Sequence, residues 1–589
     1  MKKTNFKAIL LILILTSLVY ANCLGNFFAM DDFMVIVEND FVKSWNNIPA
    51  FFTKDYLTSP SDGRYLGMYE IGSGELTYRP VVTLSYFIDY SIWKLNAFGY
   101  HFTNLFLHIL NAIMLYFFIG LIIKNKKIGL LAALLFAVHP VNIEPVNSIS
   151  FREDLFVFLF FITSFMFYVK MDFCHGRKKA YFYIASIVLF LLALFSKEVA
   201  VVLPIVLVLY DYFFVARDKT RSFLYRLRTR YIGFVLAVLF YLWIWVLFKS
   251  YMKEGLVDFS YRGGNFYTNA LTMLSVFVRY IGWLLWPINV HPTLPGTDPV
   301  TLYSIFQAQA LFSAIVVVGF LIFAVMARKK LKEVSFSIFW FFICLLPVSN
   351  IYPISNVVAP RFLYIPAIGF FLIAALFLYR LPRMELSFIS RRVLKKITTY
   401  TVITLILFYS MFTIIKNFLW KNDFVLWQEL VERYPDNPNA HKVLAQCYLR
   451  AGLLDKAIAE SKIAVRLDPL GSYSCYIVLG GAYYKKGMMD QAIVAYEKAL
   501  ELDPGSIDAY NNLICAYGFK GKYKQAIHYF EQGIKFDPRY IPLYINMGST
   551  YVRMKDWDKA KEVWERALEF SPNNREIISK IDRLKSIAR

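Results

Sequence analysis

Five short polar stretches interrupt an otherwise apolar N-terminal part: MDDF at 30–33, LTYRP at 76–80, HPVNIEPVNSISFRED at 139–154, SKE at 196–198 and APRFLYIP at 359–366. They hold the acids Asp31, Asp32, Glu144, Asp154 and Glu198 and the cations Arg79, Arg152, Lys197 and Arg361. A carboxylate can take the proton from an attacking hydroxyl and orient it. A cation can meet a departing phosphate whose charge grows as its bond breaks. Ionisable groups at membrane depth cost about 2.5–3.5 kcal/mol each on insertion scales, so they mark a site more often than an accident. Each stretch alone could be a helix-end cap at headgroup level, whereas five of them on one face point to a shared site. Neighbouring side chains in an extended segment point apart, so one of Asp31 and Asp32 can act as base while the other anchors the loop. Their spacing does not say which.

The remaining polar residues read less sharply. His139 alone is more often a hydrogen-bonded interfacial residue than a catalyst and is placed behind the reacting groups. His101, Asn104 and His108 follow one another at three and four residues, one face of a helix. That stripe serves either a groove or helix packing. Tyr78-Arg79-Pro80 serves either phosphate contact or loop anchoring.

These stretches need a frame, and hydropathy and charge supply it. The 589 residues carry 64 Lys and Arg against 42 Asp and Glu. From 421 onward the balance is about 25 to about 21, so most of the excess belongs to residues 1–420. There the basic residues form clusters between apolar runs: Lys2/Lys3/Lys7, Lys124/Lys126/Lys127, Arg177/Lys178/Lys179, Arg217 through Arg230, Arg328/Lys329/Lys330/Lys332 and Arg380 through Lys396. Clusters spaced by long apolar runs describe a multi-pass membrane protein rather than a nucleic-acid binder. The positive-inside rule places all six on the cytoplasmic side. Eleven spans follow, near 8–25, 101–122, 128–140, 153–169, 181–196, 199–215, 231–249, 308–327, 336–349, 362–379 and 397–418. The stretch at 270–290 must then be a re-entrant or surface-lying helix on the outer side, where Arg279 and Trp286-Pro287 suit the headgroup level. This parity puts the N-terminus in the cytoplasm and everything after residue 420 outside. Tyr20 and Asn22 sit where a signal or lipoprotein cleavage site would need small residues, so the first segment is expected to stay as a span. The six cysteines form no CxxC pair, which leaves zinc and redox motifs without support.

Beyond 420 the pattern becomes periodic. Pro435, Pro469, Pro504, Pro538 and Pro572 recur every 34 or 35 residues, with Gly452, Gly487, Gly521 and Ala457, Ala492, Ala526, Ala560 in step. This is the tetratricopeptide period, four units after a half-repeat at 422–434. Such arrays stack into a concave surface that holds a peptide or a protein partner. The expected architecture is therefore all-α: a polytopic helical domain at 1–420 and a repeat solenoid at 421–589.

Residues 31–32, 78–80, GYHFTNLFLH at 99–108, 139–154, 196–198 and RFLYIPAIG at 361–369 together resemble the transmembrane and tetratricopeptide repeat-containing proteins. Their layout is a GT-C glycosyltransferase membrane core followed by repeats, similar to the protein O-mannosyltransferases. The resemblance implies a polyprenyl-phosphate sugar as donor substrate and protein Ser or Thr hydroxyls as acceptor. It implies catalytic Asp31 and Asp32. It also carries over His139, Glu144, Arg152 and Asp154, then Lys197 and Glu198, then Arg361, Tyr364 and Pro366. Arg152, Lys197, Arg361 and Arg79 are the expected phosphate-binding cations; Glu144, Asp154 and Glu198 support them, and His139 and Tyr364 stand behind. A divalent metal is left open, since an acidic pair can hold one but no complete ligand set is evident. The chain departs from the family at Pro360, where Glu is usual, at Pro145, where Ala is usual, and in its short array. These departures bear on donor and acceptor identity. The other readings are a lipid-linked glycan ligase or polymerase, and a non-catalytic scaffold that displays the repeats. A transporter would carry its charges mid-span. The expected partners are a lipid-linked sugar, an acceptor protein or glycan, a protein or peptide on the repeats, and the membrane, with no nucleic acid. The membrane is a plasma or inner membrane if the source is prokaryotic.

Overall fold

In the computed structural model, residues 2–52, 78–215, 227–251, 261–291, 300–354, 356–384, 389–470, 473–571 and 574–587 are described. Leu76 and Thr77 of the LTYRP stretch, most of the basic cluster from Arg217, and Pro572 lie outside them. The described residues are helical throughout, with no strand among them. The N-terminal part holds α1 (Lys2–Tyr20), α2 (Pro80–Trp93), α3 (Ala97–Ile122), α4 (Lys126–Val138), α5 (Ile143–Asn147), α6 (Arg152–Met171) and α7 (Gly176–Leu194). It continues with α8 (Leu203–Tyr210), α9 (Ile232–Tyr251), α10 (Phe266–Leu285), α11 (Ala308–Ala327), α12 (Lys332–Leu345), α13 (Ala367–Arg380) and α14 (Arg391–Asn417).

Local sequence sets several of these boundaries. Asn96 and Asn125 cap α3 and α4 by accepting from backbone N–H groups of the first turn, and Pro80 opens α2. Close approach needs small residues. A Cβ on Gly129 of α4 would stand 2.6 Å from the Tyr116 carbonyl of α3, and one on Gly369 of α13 would stand 2.3 Å from the Ser337 carbonyl of α12.

Hydrogen bonds and ion pairs define two faces. On one, Asn22, Asn26, Asn147 and Asn417 form a chain of side-chain amides with separations of 2.8–2.9 Å. On the other, Asn5 meets Tyr116 and Lys126, Arg230 pairs with Asp172, and Arg380 pairs with Glu333. Near one end of α10 Asn269 donates to the Asn350 carbonyl, and near the other the Leu284 carbonyl accepts from His139.

Length and composition give fewer spans than the eleven expected from the charge pattern. Eight described helices are long and apolar enough to cross a membrane, nine if α4 and α5, bent by 58°, form one span. Phe266–Leu285 is among the eight, although the charge pattern lays it on the outer side. Of the segments expected to span, α7 begins with Arg177, Lys178 and Lys179, and α12 and α13 have 14 residues each. Fourteen residues rise about 21 Å, short of a full hydrocarbon core.

The repeat part follows on the first face as α15 (Asp423–Arg433), α16 (Pro438–Arg450), α17 (Leu454–Leu467), α18 (Tyr473–Lys485), α19 (Met489–Leu502), α20 (Ile507–Phe519), α21 (Tyr523–Phe536), α22 (Ile541–Arg553), α23 (Trp557–Phe570) and α24 (Arg575–Ile587). Gly452, Gly487 and Gly521 end the first helix of three units with φ of 74°, 80° and 73°. That left-handed turn is where glycine costs nothing. In the fourth unit Lys555 takes the same place with φ of 61°.

Candidate functional site

The two aspartates differ in their surroundings. Asp32 is fully buried. One of its carboxylate oxygens accepts the Ser150 backbone N–H at 2.7 Å and the other the Ala29 N–H at 3.1 Å. It ties the first loop to the segment before α6. Asp31 is half-buried, and its side chain makes no hydrogen bond or ion pair among the described residues. Burial pushes the Asp31 carboxyl up to about 6; the Arg361 guanidinium pulls it down, and the carboxylates of Glu153, Asp423 and Glu144 push it further up. A carboxyl poised there is ionised and basic at neutral pH. Burial pushes Asp32 higher, to about 7, against the pull of its two backbone donors.

Around Asp31 the expected charged residues gather into a network. Arg361, on the short helical turn Pro360–Leu363, pairs with Glu144 at 2.7 Å; its backbone N–H donates to the same carboxylate at 3.0 Å. Its guanidinium lies 4.0 Å from the centroid of the Phe151 ring. Lys197, just after α7, is held by both oxygens of Asp154 at 2.7 and 2.8 Å. Arg79 joins Glu153 at 2.9 Å and Glu198 at 3.0 Å. Glu153 also stands 3.6 Å from Lys197, which links the pairs into one run. Arg361 and Asp154 point into a narrow cavity whose other walls are apolar: Val199, Val202, Cys344, Val348, Phe362, Ile365 and Pro366. Four carboxylates share three cations here.

Arg152, the fourth expected cation, lies apart from these three: it is fully buried and hydrogen-bonded on all sides. It pairs with Asp89 at 2.7 Å, donates to Asn104 at 2.7 Å and to Ser85 and the Tyr100 carbonyl at 3.1 Å, and stacks on Tyr86. Its task is to join α2, α3 and α6. The histidines are also packing residues. His108 bonds the Tyr364 hydroxyl at 2.7 Å and the Ala137 carbonyl at 3.2 Å. His139 accepts from Val141 N–H on Nδ1 and donates from Nε2 to Leu284, which shapes the turn that delivers Glu144. Tyr364 is buried against Phe136 and Phe158 and supports the Arg361 turn from below. The stripe of His101, Asn104 and His108 is buried, with His101 bonding the Phe27 carbonyl and Asn104 donating to the Val146 and Ser148 carbonyls.

Sequence reasoning passed over Glu153, Asp89 and Asp423. Glu153 was legible as the acid between Arg152 and Asp154, whereas the other two carry no local signal. Among the described residues no group of three or more His, Cys, Asp or Glu side chains is spaced to hold a metal ion.

Models of the tetratricopeptide repeat match residues 426–472, 473–506, 507–540 and 542–574, the helix pairs described above. Curated relatives reach further. Protein O-mannosyl-transferase F38B6.6 of Caenorhabditis elegans is 25% identical over 467 residues, 78% of this chain and 63% of that protein. TMTC1 of Homo sapiens, named likewise, is 24% identical over 508 residues, 77% and 54% of the two chains. TMTC3 of Mus musculus is 22% identical over 470 residues, 74% and 48%. The chain thus spans about half to three-fifths of the length of these relatives. Matches covering three-quarters of the chain exceed what the repeats alone can supply. Among solved structures, the crystal structure of MamA is 28% identical with a TM-score of 0.23, covering 26% of this chain and 87% of that one. A thermophilic TPR protein of Thermus thermophilus is 21% identical with a TM-score of 0.26, covering 27% and 88%. These scores are too low to carry an argument. By its sequence relations the chain is similar over three-quarters of its length to proteins named protein O-mannosyl-transferases, and its C-terminal part is an array of tetratricopeptide repeats.

Proposed function

We propose that the chain is a multi-pass membrane glycosyltransferase that moves a sugar from a polyprenyl-phosphate donor to a hydroxyl of a protein acceptor. The observation that carries this reading is the unpartnered Asp31 carboxylate beside the Arg361, Lys197 and Arg79 network. Asp31 takes the acceptor hydroxyl proton as its oxygen attacks the anomeric carbon. The bond from that carbon to the phosphate oxygen breaks in the same displacement, and polyprenyl phosphate leaves. Arg361 leads the neutralisation of its charge, because it faces the apolar cavity where a greasy phosphate would lodge. Lys197 follows by releasing Asp154. Names of the curated relatives support mannose as the sugar and protein as the acceptor.

In this reading the first face is extracytoplasmic, the N-terminus is cytoplasmic, and the repeats stand outside, where they bind the acceptor or a partner. The six basic clusters support that orientation. The glycan ligase reading has less support, because the buried histidines of the site face carry packing roles.

The test incubates purified protein with a panel of radiolabelled polyprenyl-phosphate sugars and follows label into protein. Transfer by the wild type and its loss in Asp31→Asn is the expected result. Absence of transfer from every donor, or undiminished transfer by Asp31→Asn, would overturn the proposal.

A further inference from the structure

The loop that carries Asp31 is gripped from two sides, and one side belongs to the repeat array. From below, Asp32 ties it to Ser150, and Asn26 donates to Asn147. From above, the Met30 backbone N–H donates to the Asp423 carboxylate at 2.5 Å, and the Phe27 N–H donates to the Lys421 carbonyl at 2.9 Å. The Met30 side chain is buried in one apolar cluster with Trp420, Leu426, Trp427, Val443 and Leu444. Arg450, at the end of α16, stands 3.8 Å from Asp423 and lays its guanidinium 5.4 Å from the centroid of the Phe33 ring. Met30 has φ of 53°, a left-handed backbone that a long side chain does not adopt unaided. Such a conformation persists where its surroundings over-determine it. Here the surroundings are α15 and α16, and the residue so held is the one before Asp31.

We propose that Asp423 and Arg450 are positioning residues for Asp31, so that the first helices of the repeat array form part of the active-site framework. This rests on the reading of Asp31 as the base. Asp423 fixes the backbone on the N-terminal side of the base, and Arg450 fixes Asp423 and the aromatic ring on its C-terminal side. A polypeptide that engages the array and shifts α15 or α16 thereby moves the base, which couples acceptor capture to proton transfer.

The test uses the full-length protein and the polyprenyl-phosphate sugar that the wild type turns over. Asp423→Ala is expected to lower kcat about 10–100-fold, the scale of a small misplacement of a reacting group, while donor KM stays within about two-fold. Asp423→Asn keeps a side-chain oxygen for the Met30 N–H and is expected to restore kcat to within about three-fold. Amide exchange is measured on the same proteins without regard to turnover. Residues 27–37 should exchange faster in Asp423→Ala and as in the wild type in Asp423→Asn, with residues 473–571 unchanged in both. Wild-type kcat in Asp423→Ala, or unchanged exchange over 27–37, overturns the positioning role. A wild type inactive with every donor, in which the exchange difference is still seen, overturns the transferase reading and leaves the clamp standing.

Discussion

Asp32 accepts the backbone N–H of Ser150 at 2.7 Å, 118 residues along the chain, whereas the side chain of the adjacent Asp31 makes no hydrogen bond or ion pair among the described residues. Asp31→Asn is expected to lower kcat by about 100- to 10,000-fold, the usual contribution of a positioned general base, with thermal stability unchanged. Asp32→Asn leaves one backbone donor facing an amide and should cost about 1–3 kcal/mol of stability. Turnover and melting temperature of the two variants check the division; equal behaviour in both would contradict it.

The pH profile follows from the Asp31 carboxyl. It lies at about 6, above the ordinary value near 4, because burial and the carboxylates of Glu153, Asp423 and Glu144 outweigh the Arg361 guanidinium. Asp32, next in the chain, is the other acid facing it. Below about 6 Asp31 is protonated and cannot accept a proton; above it the carboxylate is available. The kcat/KM is therefore expected to rise roughly tenfold per pH unit on the acid side and level off above about pH 7. Asp423→Asn removes one raising carboxylate and should move that limb to lower pH.

Arg152 is expected to matter for folding before chemistry. Removing one partner of a buried ion pair leaves the other charge uncompensated, at a cost of about 3–5 kcal/mol. Arg152→Met and Asp89→Asn should each lower the melting temperature sharply, and the double variant should recover part of the loss. Donor KM of whatever folds should match the wild type. A folded Arg152→Met protein with a raised donor KM would return this residue to the phosphate site.

Lys555 occupies the left-handed position that glycine takes in three other units. A non-glycine residue pays roughly 1–2 kcal/mol there, so Lys555→Gly is expected to stabilise the array by about 1 kcal/mol. Denaturant unfolding of the two proteins gives the difference directly.

Orientation is open to labelling. With an impermeant thiol reagent applied from outside, Leu470→Cys in the array should react, and Lys329→Cys between α11 and α12 should react only after permeabilisation. Both positions are exposed. Labelling of Lys329→Cys in intact cells would reverse the assignment.

Several features followed from local order alone. The 34-residue period, with its prolines and glycines in step, announces paired helices because each unit must bury its face on the next. The basic clusters sit between successive apolar helices, whereas α10, laid on the surface by parity, is long and apolar enough to cross a membrane. The acids and cations of the site were recognisable as types, since a charge beside an apolar run is costly without a partner.

Which groups each charge meets was decided by the tertiary structure. No spacing distinguishes Asp31 from Asp32; a backbone N–H from a distant segment does. Arg152 and Arg361 look alike in sequence, yet one is enclosed by Asp89, Asn104 and Ser85 and the other faces a cavity. Asp89 and Asp423 carry no motif, and they matter through partners 63 and 393 residues away. Composition and periodicity reach only as far as a helix or a repeat unit, whereas the availability of a carboxylate depends on which groups the folded chain brings within a few ångströms of it.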